Sequence, residues 1–217
     1  YPESGGVSRS IQLQVQQLAR AGHRVTLFAP SVKLTPPTEC AWVGLPYWRV
    51  PGTPSYLCSL QVGRGRARRI AADHPLDVVH SQNERGSVFL AAQVARVLDI
   101  AHVHTFHSNY VGTHRTTPLS SGLNSLTYLD WSGRLLRRVA GQGRDVPAAV
   151  PTDPDATADS PFAGRDWRSL ARLASAVDGF TSPAGYVVDS IVDASGGALA
   201  GRGSVVASGV ADAFVRA

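Results

Sequence analysis

The sequence predicts an α/β fold in which a parallel sheet is covered by helices on both faces. Three observations support this prediction. Short apolar segments rich in β-branched residues alternate along the chain with longer segments of helical periodicity. The apolar segments are continuous, as expected of strands that are buried on both faces. Several of them end in histidine or other polar residues, at the edge where open parallel sheets bind ligands.

The first helix and the strand after it are predicted most directly. Apolar residues recur at helical spacing through residues 7–22 and give this segment one apolar face. Gly22 suits the left-handed position that ends a helix. Residues 25–29 are short, apolar and rich in β-formers, so they predict a buried strand.

Two glycines stand directly before this first helix. They allow the main chain to turn sharply and to approach a ligand closely. The free amides of a helix N-terminus also attract an anion. Gly5, Gly6 and Val7 therefore form a candidate phosphate loop, and an ordinary tight turn is the alternative interpretation.

The remaining chain repeats the β-α-β pattern and is expected to form a single domain over residues 1–217. Segment 31–59 is predicted to be mainly loop, and segment 141–166, with its prolines among small and acidic residues, a flexible insertion. The predicted strands cover 47–50, 76–80, 101–106, 178–182 and 204–207, and the predicted helices cover 63–73, 86–99, 119–139, 167–177 and 183–194.

Positive charge is concentrated in two clusters. The 21 Lys and Arg residues outnumber the 16 Asp and Glu residues, for a net charge of +5. A basic amphipathic helix can contact an anionic membrane surface, and a solvated helix face is the alternative. Nucleic-acid binding is not expected, because no recognition motif accompanies the charge. The candidate membrane-contact residues are Arg64, Arg66, Arg68 and Arg69, and the second cluster is Arg134, Arg137 and Arg138.

Polar side chains follow two successive predicted strands. His80 and His107 stand at these strand ends, and right-handed crossovers would bring them to one edge of a parallel sheet. They are candidates to line one crevice, and local hydrogen bonding of each ring is the alternative. Asn83, Ser108, Asn109 and Tyr110 are further candidate ligand contacts, although polar loop residues often bind only water.

His102 and His104 alternate onto one face of a predicted strand. Together with His107 or His114 they would suggest a metal cluster, but no carboxylate or cysteine stands at a supporting spacing. We therefore expect the first two rings to pack beneath a helix with their nitrogens hydrogen-bonded, and we expect no metal. The two cysteines lack the spacing of a zinc site.

Six segments, taken in order, resemble the N-terminal domain of glycosyltransferase family 4. They are GGV at 5–7, GHRVTLFAP at 22–30, DVVHSQ at 77–82, HVHTFHSNY at 102–110, VDGFTSPAGYVVDSIV at 177–192 and SVVASGV at 204–210. The resemblance implies the N-terminal half of a GT-B fold, in which two Rossmann-like domains face each other across a cleft. This half mainly receives the acceptor.

The resemblance implies a retaining glycosyltransferase that moves a hexose from a nucleotide sugar to a lipid or small polar acceptor. Gly5, Gly6 and Val7 match the family's loop against the donor diphosphate, and His107 matches a histidine near the transferred sugar. His80 matches a frequent histidine at the preceding strand end. Such enzymes generally need no divalent metal, because protein groups stabilise the leaving diphosphate. No cofactor is therefore expected beside the nucleotide-sugar substrate.

The closing segment departs from the family pattern. Residues 208–211 read Ser-Gly-Val-Ala where the family usually has Asn-Gly-Val-Asp, so Ser208 and Ala211 differ. The chain also starts without the strand that should precede the glycine loop and ends without a donor-binding domain. We therefore expect a fragment that is inactive alone and that is completed by a C-terminal GT-B domain. A non-catalytic binding module or subunit, derived from a transferase half, is the alternative.

Two further function classes are weighed from the same residues. A dinucleotide-dependent oxidoreductase shares the fold, but it needs G-x-G-x-x-G and an acidic residue about 20 positions later, and the sequence has neither. The sequence also shows no signal-like segment and no run of about 20 apolar residues. We expect a cytoplasmic protein, in contact with the inner face of the membrane if the basic clusters bind it.

Overall fold

The computed structural model describes residues 5–31, 38–49, 58–84, 86–107, 130–140 and 163–205. Helices and strands alternate through these ranges, which confirms the α/β fold class. The helices are α1 (Gly5–Arg20), α2 (Arg64–Asp73), α3 (Gly86–Leu98), α4 (Asp130–Ala140), α5 (Ala163–Ser175) and α6 (Gly185–Ala194). The strands are β1 (Thr26–Pro30), β2 (Ala41–Leu45), β3 (Tyr47–Arg49), β4 (Cys58–Leu60), β5 (Val78–Ser81), β6 (Ala101–Thr105), β7 (Gly179–Ser182) and β8 (Gly203–Val205).

Four parallel strands form the main sheet, in the order β5-β6-β7-β8. Ser81 pairs with His104, and Thr105 pairs with Thr181. Strands β1 and β2 form a separate parallel pair, and β3 and β4 form an antiparallel pair. Because β5, β6 and β7 run in the same direction, the residues that end these strands meet at one edge of the main sheet.

The core consists of two apolar clusters that share helix α3. The larger cluster joins α3, α4, α5 and α6 to the main sheet, and Phe106 meets Phe180 edge to face inside it at 5.9 Å between ring centres. The smaller cluster lies among α2, α3 and the two short strand pairs. Phe89 packs into the first cluster and Leu90 into the second. Helix α3 therefore holds the short strand pairs against the main sheet.

Gly86, the first residue of α3, allows β4 to cross very close to the helix. A Cβ atom at this position would stand 2.2 Å from the carbonyl oxygen of Leu60 and 2.7 Å from its amide nitrogen. The amide of Gly86 also donates to Oγ of Ser59 over 3.1 Å. Only glycine fits here without a shift of the main chain.

The mainly-loop prediction for 31–59 was wrong at β2 and β4, whereas β3 confirms the strand predicted at 47–50. Strand β2 pairs with β1 along its whole length, from Thr26 opposite Ala41 to Pro30 opposite Leu45. This pairing is made between distant parts of the chain. The prolines around these short segments gave a local loop signal that the pairing overrides.

The predicted flexible insertion at 141–166 also needs a correction, because α5 begins at Ala163. The small residues after Pro161 suggested a continuing loop. Asp166 instead lies in the first turn of the helix, where the positive end of the helix dipole stabilises a carboxylate. Residues 141–162 lie outside the described residues, as do 119–129 of another predicted helix.

Candidate functional site

Gln82 joins the two predicted histidines at the carboxyl edge of the main sheet. Its Oε1 lies 2.7 Å from Nε2 of His107. Its Nε2 lies 3.3 Å from Nδ1 and 3.2 Å from Nε2 of His80. The amide nitrogen of Gln82 is thus almost equally far from the two ring nitrogens of His80. The structure thus brings His80 and His107 together through a shared side chain.

A line of polar atoms continues from His80 across the ends of three neighbouring strands. Nε2 of His80 lies 2.7 Å from Oγ1 of Thr105. Oγ1 of Thr105 lies 2.7 Å from Oγ1 of Thr181. These contacts fix the His80 ring to β6 and connect it to β7, and the ring contacts Gln82.

Helix α1 contacts the same group of side chains. Nε2 of Gln82 donates to Oε1 of Gln14 over 2.7 Å, and Nε2 of Gln14 lies 3.3 Å from Oγ of Ser10. Gln14 lies about 12 Å along the helix axis from Gly6, at about 1.5 Å per residue. The helix that begins with the two glycines is therefore a wall of the site.

The candidate phosphate loop takes a different form from the one predicted. Gly5, Gly6 and Val7 are the first three residues of α1, where a separate loop had been expected. This form keeps the amides that matter for an anion, because the first four amides of a helix have no partner within it. A Cβ atom added to Gly6 would meet none of the described residues within 4 Å. Among these residues, the main chain at Gly6 is open on that side.

Burial keeps the His107 ring neutral. It lowers the pKa of His107 to about 4, and the neighbouring His80 lowers this pKa further when it is charged. Crowding by protein atoms also lowers the pKa of His80, although this side chain keeps an edge exposed to solvent. At neutral pH the site therefore presents uncharged imidazoles that can both donate and accept hydrogen bonds.

Directly beneath the site, one serine holds two buried histidines. Oγ of Ser81 lies 2.8 Å from Nε2 of His102 and 2.8 Å from Nδ1 of His104. The rings of His102 and His104 are thus buried as expected, and one nitrogen of each ring is hydrogen-bonded to Ser81. Nδ1 of His102 and Nε2 of His104 are buried without a hydrogen-bond partner among the described residues.

Burial also keeps this buried pair uncharged. It lowers the pKa of His102 to about 4, with a smaller opposing effect from Asp178, and it lowers the pKa of His104 well below its usual value. In the part of the chain that the structure describes, no three His, Cys, Asp or Glu side chains are grouped to hold a metal ion.

Among the other predicted contacts, Asn83 lies just before α3. Its carbonyl oxygen accepts from Oγ of Ser87 over 2.7 Å and from the amide of Val88 over 3.2 Å. Ser108, Asn109 and Tyr110 lie outside the described residues.

The four candidate membrane-contact arginines divide into two groups on α2. Arg64, Arg68 and Arg69 are exposed. Arg66 donates to the main-chain oxygen of Gln61 and lies 3.4 Å from its side-chain oxygen. Arg66 therefore supports the local structure, while the other three present charge to solvent. None of the described helices has the length and hydropathy needed to span a membrane.

The second basic cluster lies on α4. Arg134 and Arg138 are exposed there, and Trp131 on the same helix exposes 56% of its surface. An exposed indole beside arginines is a combination that suits a membrane interface.

Sequence reasoning missed four residues of the site. Gln82 ends the DVVHSQ segment two positions after His80, and this strand spacing was a usable signal. Gln14, Thr105 and Thr181 carried no such signal, because a polar residue on an amphipathic helix and threonines in strands are ordinary.

Comparison with known proteins gives two matches. The family model "Glycosyltransferase Family 4" matches residues 4–146, which include Gly5, Gly6, Val7, His80, Gln82 and His107. Alpha-monoglucosyldiacylglycerol synthase of Streptococcus pneumoniae (strain ATCC BAA-255 / R6) is 30% identical over 114 residues. The match covers 51% of this chain and 25% of that relative, so the chain spans about a quarter of the relative's length.

Proposed function

This chain belongs to glycosyltransferase family 4, and we propose that it forms the acceptor-binding half of a retaining enzyme. In the proposed reaction a hexose passes from a nucleotide sugar to a lipid or small polar acceptor. The observation that carries the proposal is the meeting of α1 and His107 on Gln82, at the carboxyl edge of a parallel sheet.

The first turn of α1 would bind the donor diphosphate. The free amides at Gly5, Gly6 and Val7 and the positive end of the helix dipole favour an anion. Cleavage of the sugar–phosphate bond leaves further negative charge on the diphosphate, and amides already in position stabilise it without reorganisation. The open surface at Gly6 supports close approach of such a group.

His107 would position the transferred sugar. A ring with a pKa of about 4 is a weak base, but its neutral form offers one donor and one acceptor to sugar hydroxyls. In the proposed step the acceptor oxygen bonds to the anomeric carbon as the bond from this carbon to the phosphate oxygen breaks. The bonding electrons pass to the diphosphate, which takes the proton of the acceptor hydroxyl.

A lipid acceptor at an anionic membrane surface is the acceptor that we favour. The name of the pneumococcal relative describes synthesis of a glucosylated diacylglycerol. The exposed Arg64, Arg68 and Arg69 of α2, and Trp131 with its neighbouring arginines on α4, support contact with anionic lipid. The protein would then act in the cytoplasm, peripherally at the inner face of the membrane.

The test of this proposal is turnover by the complete gene product on vesicles that contain diacylglycerol and anionic lipid. Nucleoside diphosphate release is measured with uridine and guanosine diphosphate hexoses, and the anomeric configuration of the product is read by NMR. We expect acceptor-dependent release with retention, without added metal, while residues 1–217 alone bind ligand and do not turn over. Inversion, or no release with any hexose donor, contradicts the proposal.

A non-catalytic binding module is the second candidate function. The departures at Ser208 and Ala211 favour it, because they alter a segment that the family usually keeps as Asn-Gly-Val-Asp. Saturable binding of a nucleotide sugar without turnover by the complete gene product would select this alternative.

A further inference from the structure

We propose that Gln82 is a positioning residue, which holds His107 as the Nε2–H tautomer and links it to helix α1. The geometry alone carries the tautomer assignment. Its consequence for catalysis rests on the proposed transferase function.

The direction of the hydrogen bonds follows from the placement of the two glutamine amides. Nε2 of Gln82 donates to Oε1 of Gln14 over 2.7 Å, and Nε2 of Gln14 lies 3.3 Å from Oγ of Ser10. An amide oxygen can only accept. Oε1 of Gln82, which faces His107, is therefore an acceptor for that ring.

This orientation decides which nitrogen of His107 holds the proton. Oε1 of Gln82 lies 2.7 Å from Nε2 of His107, and two acceptors would repel each other at that distance. Nε2 of His107 is thus the donor. Because burial lowers the pKa of His107 to about 4, the ring has one proton at neutral pH and Nδ1 keeps its lone pair.

His80 supports Gln82 without competing for it. The Gln82 amide nitrogen lies 3.3 and 3.2 Å from the two nitrogens of the His80 ring. Nε2 of His80 also meets Oγ1 of Thr105 at 2.7 Å. The ring is therefore held by β6 and contacts Gln82, whose shortest bonds go to Gln14 and His107.

In the proposed enzyme this arrangement leaves Nδ1 of His107 as an acceptor for a hydrogen bond from a sugar hydroxyl. The same contacts connect helix α1, through Gln14 and Gln82, to the ring that would meet the sugar.

The first test is ¹⁵N NMR of the imidazoles in the full chain at neutral pH, with His107 assigned from the spectrum of His107→Gln. We expect the ¹⁵N signals of a ring in which Nε2 is protonated and Nδ1 is not, and we expect the Nε2 proton to exchange slowly with solvent. A predominant Nδ1–H tautomer in the native protein overturns the proposal.

The second test changes the acceptor on His107. In Gln82→Leu we expect exchange of the His107 Nε2 proton to become at least tenfold faster. In Gln82→Glu a carboxylate meets the ring and raises its pKa, so both nitrogens become protonated near neutral pH. If Gln82→Leu does not fold, the tautomer measured in the first test decides, and a ring that stays neutral in Gln82→Glu overturns the proposed contact between residue 82 and His107.

The link to α1 is tested with Gln14→Leu against Gln17→Leu, an exposed position on the same helix. We expect the His107 proton to exchange faster in the first variant and to be unchanged in the second. In the transferase assay, Gln82→Leu is expected to lower kcat about 10- to 100-fold with little change in the donor KM. Because the NMR readouts do not need turnover, they decide the tautomer even if the transferase proposal fails.

Discussion

At the scale of single residues, the site depends on neutral imidazoles at two depths. His80 and His107 meet Gln82 at the sheet edge, and His102 and His104 share the hydroxyl of Ser81 beneath it. Burial is the main cause of the lowered pKa in each ring. The upper pair lies where we propose that the ligand binds, whereas the lower pair joins β5 to β6.

The buried pair predicts a loss of stability in acid. The pKa of His102 is about 4 in the folded protein and about 6.5 when unfolded. The unfolded state therefore binds more protons between these values, so the full stability is present above about pH 6.5 and is lost as the pH falls toward 4. Up to about 3 kcal/mol is lost through this residue.

Urea unfolding at a series of pH values between neutral and mildly acidic measures this loss. His102→Gln is expected to be less stable at neutral pH but to lose less stability on acidification. His23→Gln, at an exposed position, serves as the control and should leave the pH slope unchanged. Equal slopes in His102→Gln and the unmodified chain would contradict the assignment.

The role of His107 predicts a selective catalytic loss. His107→Ala removes the group proposed to position the sugar, so kcat of the complete gene product should fall about 100-fold or more while the protein stays folded. Steady-state kinetics with a nucleotide hexose measures the loss, and circular dichroism checks folding. Activity within about twofold of the unmodified enzyme would remove His107 from the site.

At the scale of elements, helix α3 and the close approach at Gly86 connect the two halves of the core. A substitution of Gly86 by alanine would place a methyl group 2.2 Å from the Leu60 carbonyl oxygen, so the main chain of β4 must move. Gly65 in α2 provides the contrast, because a Cβ atom there meets nothing within 4 Å.

Gly86→Ala is therefore predicted to destabilise the fold by about 1–3 kcal/mol or more. Gly65→Ala should stabilise it by about 0.4–1 kcal/mol, since alanine restricts the unfolded chain and suits a helix. Denaturant unfolding of both variants measures the difference. A neutral Gly86→Ala would show that β4 does not cross α3 as closely as described.

From the position of Gly6 in the first turn of α1, we predict that a substitution there weakens donor binding without lowering the stability of the fold. Gly6→Ala fits the folded chain, because nothing lies within 4 Å of the added atom. The new methyl group would obstruct a diphosphate on the main chain, so the donor KM should rise about tenfold. Gly65→Ala makes the same change at the second residue of α2 and should leave KM unaltered. A normal KM in Gly6→Ala would place the diphosphate elsewhere.

The elements with strong local patterns were predictable from sequence. Helical spacing predicted α1 and α3, and an apolar run predicted β6. The predicted bounds of all three elements are within about two residues of the observed ones. Strand β2 was missed because its partner β1 lies across a loop, and pairing between distant segments leaves little trace in local sequence. The meeting of His80 with His107 followed from topology, but the link through Gln82 and Gln14 depends on side-chain directions that spacing does not fix.

At the scale of the whole molecule, the exposed arginines of α2 and α4 give the domain a basic surface. Membrane contact predicts that Arg68→Gln combined with Arg69→Gln weakens binding to anionic vesicles by about 30-fold, at about 1 kcal/mol for each charge. Arg20→Gln combined with Arg24→Gln removes the same charge from exposed positions near the end of α1. This control should change binding little.

Co-sedimentation at low and high salt measures both pairs of variants. Because surface charges are screened by salt, the difference between the two pairs should shrink as ionic strength rises. Equal losses in both pairs would indicate a general effect of net charge, and α2 would then not be the contact surface.

Alternation along β5 fixes the register of this strand in the sheet. His80 and Gln82 contact each other on one side of it, whereas Ser81, between them, holds the buried pair. A slip of one residue would exchange these faces, driving an imidazole toward the core and leaving a small hydroxyl in its place. An insertion or deletion of a single residue within β5 should therefore be rejected, and length variation should occur in the connections before and after it, which can absorb the change.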